Sequence, residues 1–240
     1  TYIPISALNG DNIVDRADNM SWYEGDCLLE HLENVHVEHD INLTDARFSV
    51  QYVIRPQTEE LHDYRGYAGK INSGIYSKGD KITVLPTGLT SRIKSIEIGG
   101  EEVEEAFAPQ SIVLQLEDDI DISRGDVIVK SDNLSPVEQE LDVLLCWMDN
   151  KPLIPGNKYF FQINSRVVRS VVKEIEYRLD VNTLQKDYGP TQAVLNDIIK
   201  AKIRTASPVP YDQYKKLQVN GSAILIDETS HVTVGACMIQ

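Results

Sequence analysis

The sequence predicts a mainly β protein, with two consecutive β-barrels preceded by a strand and a helix that read as the remnant of an α/β domain. Three observations carry this. Short runs rich in Val, Ile, Tyr and Thr recur at close, even spacing and are bounded by Gly, Pro, Asn and Asp, the pattern of a closed barrel or sandwich. That succession is interrupted once, at SDNLSP (Ser131 to Pro136). The residues before the first barrel hold one apolar run and one helical stripe, too little to bury a core alone.

Taken in order, TYIPISAL (Thr1 to Leu8) reads as a short apolar strand entering a polar loop. Cys27 to Val35 follows as a helix, with Leu28, Leu29 and Leu32 on one stripe and Gly25-Asp26 offering an N-terminal cap. Val35 to Thr44 is polar and charged, which suits a linker. Arg47 to Arg55 alternates as the first barrel strand, and Pro56 to Tyr64 is a loop. Arg65 to Asn72 and Lys81 to Leu85 are strands separated by turn residues Ser73, Gly74, Gly79 and Asp80. Ser91 to Ile98 and Ser111 to Leu116 follow, with Gly99-Gly100 as a turn, and ISRGDVIVK (Ile122 to Lys130) reads as a closing hairpin. Beyond the interruption, strands are expected at Glu140 to Trp147, Lys158 to Asn164, Val167 to Val181, Ile198 to Ala206, Gly221 to Asp227 and Val232 to Ile239. The expected parts are residues 1–40 as the remnant and linker, 41–133 as the first barrel and 134–240 as the second.

Composition narrows the function classes. With 42% hydrophobic and 25% charged residues in 240, the chain has material for sizeable cores. Its longest apolar runs, such as Val143 to Trp147, are far too short to span a bilayer, and no signal peptide opens it. Three scattered cysteines fit a reducing, cytoplasmic setting rather than a disulfide framework. A net charge of −14 argues against broad phosphate-backbone binding, so no nucleic-acid partner is expected. The densest basic stretch, RVVRSVVK (Arg166 to Lys173), reads as a solvated strand face.

Few residues invite chemistry. Cys27 and His31 share a helix face at i,i+4 spacing, and with His36 and His39 they suggest a metal site. The later histidines fall in the linker and no second ligand pair exists, so a solvated helix end is the expectation. Asp119, Asp121 and Ser123 alternate like calcium ligands, but Gly125 comes one place late and Lys130 stands where a bidentate Glu is needed. Arg124-Gly125-Asp126 spells an adhesion tripeptide inside a barrel turn, where a structural role is expected. Asn150-Lys151 lacks the Asp of a guanine-recognition motif and reads as a turn. No G-x-x-x-x-G-K-[ST] occurs, and GKINSG (Gly69 to Gly74) lies within a strand pair, so nothing here cradles nucleotide phosphates. No catalytic residue is assigned.

The layout of remnant, barrel, barrel resembles the translational-type GTPases, the group of elongation factor Tu. The motif SAL (Ser6, Ala7, Leu8) resembles the group's guanine-facing motif. GYAGKINSGIYSKGDKITVLP and ISRGDVIV resemble the signature and closing segments of its second domain. Within the group, MSWYEGDCLLEHLENV (Met20 to Val35) and AILIDETSHVTVGACMI (Ala223 to Ile239) look closer to the large, GTP-binding subunit of sulfate adenylyltransferase. Elongation factor 1-alpha looks similar around the first of these segments. The resemblance covers essentially the whole chain and casts it as the C-terminal part of a longer protein.

That resemblance implies a role in sulfate assimilation and cysteine biosynthesis. ATP and sulfate become adenosine 5′-phosphosulfate and pyrophosphate, an uphill reaction coupled to GTP hydrolysis. Adenylyl transfer would occur in a small catalytic partner subunit. GTP and magnesium would belong to the full-length protein, with none expected in this part, and Ser6, Ala7 and Leu8 would face the guanine as an incomplete site. The two barrels would couple domains and dock the partner. Tyr23, Tyr159 and Phe160 are candidate contacts, with core packing the more ordinary role for each. The rival reading is the barrel pair of an elongation factor that carries aminoacyl-tRNA. A free-standing β-barrel binding module would leave the strand–helix remnant unexplained.

Overall fold

In the computed structural model, which describes residues 1–35, 41–56 and 64–240, the strand patterns close into two six-stranded antiparallel barrels. The chain divides into two compact units, Thr1–Ile41 and Asn42–Gln240, the second containing both barrels.

The first barrel uses β1 (Arg47–Ile54), β2 (Gly66–Ser73), β3 (Ile75–Ser77), β4 (Lys81–Leu85), β5 (Leu89–Ile98), β6 (Glu101–Val103), β7 (Glu105–Phe107), β8 (Ser111–Leu116) and β9 (Val127–Lys130). Its strand order is β4-β9-β1-β2-β8-β5, closed by β4 pairing with β5, while β6 extends from β5 and β3 pairs with β7. Closure leaves no open edge in the ring. Phe48, Val50, Ile71, Ile82, Val84, Ile93, Ile96 and Leu114 fill the interior. Tyr76 is buried among them, and its hydroxyl donates to the Ile128 carbonyl at 2.7 Å, so its polar end is satisfied.

The second barrel uses β10 (Val137–Trp147), β11 (Lys158–Ile163), β12 (Arg166–Leu179), β13 (Lys186–Asp187), β14 (Ile198–Pro210), a single helical turn at Gln218–Gly221, β15 (Ser222–Asp227) and β16 (Thr233–Ile239). Its order is β11-β15-β16-β10-β14-β12, closed by β11 pairing with β12. Strict alternation along β10 explains its register: Leu141, Val143, Leu145 and Trp147 point inward, while Glu138, Glu140 and Asp142 stay in solvent. Trp147 meets Tyr159 edge to face at 5.6 Å, and its indole N–H donates to the Lys151 carbonyl at 2.8 Å.

In the first unit, helix α1 (Leu28–Asn34) lies where the leucine stripe predicts it, but its N-cap residue is Cys27, with no side-chain cap, rather than Gly25-Asp26. The reason is visible in its first amides. Leu28 and Leu29 N–H groups donate to the carbonyls of Asn12 and Ile13, so backbone replaces a capping side chain. The expected strand at TYIPISAL is absent; only an isolated bridge joins Ser6 to Asp11. That run has no neighbouring strand among the described residues, and a strand needs a ladder to satisfy its backbone.

Elsewhere the expected strands are found within a few residues, with three differences. ISRGDVIVK is not a hairpin: Ile122 to Asp126 is a turn, and β9 alone runs on to pair with β1 and β4. β14 continues four residues past Ala206, and the short β3, β6, β7 and β13 were not anticipated. β1 does not alternate at its start, because Arg47, Phe48, Ser49 and Val50 are all buried. Among the described residues no helix is long and apolar enough to cross a membrane.

Candidate functional site at the barrel seam and the N-terminal loop

The unexpected burial in β1 marks a polar seam between the barrels. Arg47 and Asp212 are 1% and 3% exposed. The guanidinium grips the carboxylate with two bonds, Nε to Oδ2 at 2.8 Å and Nη2 to Oδ1 at 3.0 Å. Its Nη1 donates to the Ala46 carbonyl and to both the carbonyl and Oδ1 of Asn133. Asp212 also accepts from Asn220 Nδ2 at 3.2 Å. A planar fork matched to a carboxylate fixes orientation as well as distance. Replacing such a pair by apolar groups of similar volume is often neutral, whereas removing one partner strands a buried charge.

A second cluster flanks it. Asn72 on β2 shares its side-chain N–H groups among Ser49 Oγ, Asn164 Oδ1 and Asn220 Oδ1, at 2.7, 3.3 and 2.9 Å. Asn164 Nδ2 donates to Asn220 Oδ1 at 3.0 Å, so one asparagine of the first barrel joins two of the second. Arg166 Nη1 donates to Asp126 Oδ1 at 3.2 Å, closing a third bridge. Burial pushes the Asp126 carboxyl up, against the pull of the Ser123 amide and Arg166. Gly125 is required beside it: its φ is +94°, and a Cβ there would stand 2.9 Å from Arg166 Cα.

Asp45 closes the seam, accepting from Lys216 Nζ at 2.8 Å, from Asn133 Nδ2 at 3.1 Å and from Asn42 Nδ2 at 2.9 Å. Burial alone would raise its pKa, but these hydrogen bonds and the Lys216 charge prevail and hold it down at about 2. An apolar patch of Leu85, Val127 and Val129, packed against Val137, completes the contact. The seam holds the two barrels in one relative orientation; it presents no nucleophile or acid–base pair to a cleft.

In the first unit, the Ser6 N–H is spent on the Asp11 carbonyl at 3.2 Å, and the Ser6 carbonyl accepts from Gly10 at 2.8 Å. Ala7 and Leu8 therefore form the exposed tip of a tight turn, Leu8 being 96% exposed. Buried Asn12 organises this turn: its Nδ2 donates to the Pro4 carbonyl and its Oδ1 accepts from the Ala17 amide.

The other candidates are placed as follows. Cys27 is buried at the start of α1, and its carbonyl accepts from the His31 amide; His36 and His39 lie outside the described residues. Among the described residues no three His, Cys, Asp or Glu side chains converge on a metal-sized site. Asp119 and Asp121 face the Arg65 guanidinium rather than a common centre. Arg124 donates to the Gln51 carbonyl, so the tripeptide Arg124-Gly125-Asp126 is built into the barrel and its seam. Lys151 lies in the turn under Trp147. Gly69 sits in β2 where a Cβ would meet the Ser49 carbonyl at 2.1 Å. Tyr159 is a core residue, Phe160 stacks on His231 outside the second barrel, and the Tyr23 hydroxyl donates to the Asp26 carbonyl. Within RVVRSVVK, Arg169 and Lys173 are exposed, while Arg166 is drawn into the seam.

Sequence reasoning missed the seam. Arg47 and Asp212 are 165 residues apart, and Arg and Ser alternating with Phe and Val in RFSV look like an ordinary solvent face. One sequence carries no signal that would pair them.

Two consecutive closed barrels are the fold that this chain shares with the barrel pair of solved translation GTPases. Residues 140–240 match the family described as GTP-eEF1A C-terminal domain-like. The solved structure of sup35 complexed with GMPPNP superposes with a TM-score of 0.75 at 22% identity, over 98% of this chain and 57% of that one. Translation elongation factor SelB from Methanococcus maripaludis gives 0.64 at 17% identity, over 89% of this chain and 45% of that one. At these identities the likeness concerns the fold alone.

Sequence relatives are more particular. The chain is 47% identical over 240 residues to the bifunctional enzyme CysN/CysC of Mycobacterium tuberculosis, covering all of this chain and 39% of the relative. It is 43% identical over 239 residues to sulfate adenylyltransferase subunit 1 of Bacteroides fragilis, covering 49% of it. With Aliarcobacter butzleri sulfate adenylyltransferase subunit 1 it shares 43% over 240 residues, half of that protein. Along its whole length the chain is a homologue of sulfate adenylyltransferase subunit 1 and CysN proteins. It spans between 39% and 50% of the length of these relatives.

Proposed function

We propose that these residues are the coupling and docking part of the large subunit of a GTP-dependent sulfate adenylyltransferase. The complete enzyme would convert ATP and sulfate to adenosine 5′-phosphosulfate and pyrophosphate in the cytoplasm. The observation that carries this reading is 43–47% identity along the whole chain to relatives bearing that name or the name CysN/CysC. GTP and magnesium would be held by a nucleotide domain of the full-length protein, with Ser6, Ala7 and Leu8 at its guanine-facing edge. Residues 1–40 would belong to that domain, 41–133 and 134–240 would be the two barrels, and the 240 residues alone would catalyse nothing. The small subunit would carry out adenylyl transfer.

In this mechanism the barrels act as one body. The Arg47–Asp212 fork, the Asn72–Asn164–Asn220 cluster and the Arg166–Asp126 bridge tie the barrels at three points, so a push on one is felt by the other. GTP-dependent ordering of switch segments would reorient the nucleotide domain against this body. A partner that binds the two orientations with different affinity then receives energy from hydrolysis, and only that difference can be transmitted.

The test uses the full-length gene product mixed with the small nucleotidyltransferase subunit of the same genome. Sulfate-dependent pyrophosphate release from ATP, stimulated by GTP, is the expected result. No sulfate dependence, together with GTP-dependent binding of aminoacyl-tRNA, would overturn the reading in favour of a translation factor.

A further inference from the structure

The outer face of the second barrel carries a cationic cleft of about 320 Å³. Its layout follows from strand register. Lys158 on β11 pairs with Val171 on β12, Val171 with Arg204 on β14, and Arg204 with Glu140 on β10, so the four form one row across the face. Arg169 projects from the same face of β12, two residues from Val171. The small side chains of Val171 and Ala206 leave an apolar hollow between three long cations. This occurs on a chain whose net charge is −14.

These cations remain open to a ligand. Arg169 and Arg204 are 73% and 54% exposed, and each forms only a long ion pair without a hydrogen bond, to Glu228 at 3.6 Å and to Glu140 at 3.8 Å. Lys158 is exposed. Glu228 lines the cleft with Oε1 buried and without a hydrogen-bond donor. The site therefore presents three cations, two of them loosely paired, to anions at several points.

From this geometry we infer that the cleft binds an extended acidic segment of a partner polypeptide. Lys158 and Arg204 stand two strand spacings apart, roughly 10 Å, too far for one small oxyanion to bridge. Alternate carboxylates of an extended segment recur about every 7 Å and can engage the cations in turn. An apolar side chain of the segment covers Val171 and Ala206. A sulfate or phosphate ion has no apolar part to cover Val171 and Ala206, and the Ser170 hydroxyl is committed to the Tyr159 carbonyl. No aromatic ring lines the cleft, so a nucleic acid finds no base platform. The inference stands apart from the reaction proposed above.

The test titrates the 240-residue chain into a fluorescein-labelled peptide of three Glu-Leu-Glu-Ser repeats and follows polarisation at low salt. Saturable binding is expected, weakened about tenfold by Arg169→Gln with Arg204→Gln, since two exposed charge contacts are lost. Arg169→Lys with Arg204→Lys should restore most of it, and Lys70→Gln with Lys94→Gln on the first barrel should change nothing. Absence of binding, equal loss in the Lys70/Lys94 variant, or failure of the lysine pair to restore binding would each overturn the proposal. So would displacement of the peptide by inorganic sulfate, or tighter binding of a twelve-nucleotide oligothymidylate at the same salt.

Discussion

Replacing Asp212 by Ala strips a buried guanidinium of its counter-ion. Arg47 is 1% exposed and gives two of its N–H groups to this one carboxylate. Its other contacts, to Ala46 and Asn133, are to neutral oxygens and leave the charge uncompensated. Asn220 loses an acceptor as well. Breaking one partner of a buried pair costs about 3–5 kcal/mol. With a urea m-value of about 2–3 kcal/mol/M for a unit of this size, the midpoint should fall by about 1–2 M. Far-UV circular dichroism reports both barrels, and Trp147 fluorescence in a Trp22→Phe background reports the second. The two transitions should separate once the seam is broken. The double variant Arg47→Met/Asp212→Leu, which removes the charge and its partner together, should recover to within about 1 kcal/mol of the parent. A midpoint shift of less than about 0.3 M for Asp212→Ala would refute the reasoning, because the pair would then not be desolvated in solution.

Three further outcomes are expected. The folded-state pKa of Asp45, about 2, lies below the ordinary 3.8, so its contribution is fully present above about pH 4 and is lost as pH falls through 2. Asp45→Asn should therefore flatten the acid limb of a stability–pH curve by about 2 kcal/mol, and superimposable limbs would rule this out. Gly74 and Gly79 both have positive φ, but a Cβ at Gly74 would stand 2.3 Å from Ala46 Cα, whereas nothing lies within 4 Å at Gly79. Gly79→Ala should cost about 1 kcal/mol from backbone strain alone and Gly74→Ala markedly more, measured by thermal melts; equal costs would contradict the packing. Acrylamide should quench Trp22, which is 71% exposed, far more than Trp147, which is 1% exposed; equal quenching of single-tryptophan variants would contradict the second core.

Local pattern and long-range arrangement divide cleanly in this protein. The alternation in VEQELDVLLCW and the glycine-bounded runs of the first barrel put the major strands within reach of sequence alone. A barrel strand buries one face, and that requirement writes a period of two into the residues. The leucine stripe gave α1 for the corresponding reason at period 3.6, although its start was set by carbonyls of a preceding loop that no capping rule sees. Resemblance in the two end segments led to the family that the relatives bear out.

What tertiary structure alone decided is which polar residues face water and which face another barrel. Arg47, Ser49, Asn72, Asp126, Asn164 and Asp212 are polar residues whose burial no local pattern signals, and five of them donate or accept across the seam while Ser49 supports Asn72. The same blindness covers the cleft, because Lys158, Val171 and Arg204 become neighbours only through strand register. A sequence determines local pattern because hydrogen-bond geometry and side-chain polarity act over a few residues. The partner of a buried charge is determined by the packing of one closed barrel on the other, which brings residues far apart in the chain within about 3 Å of each other.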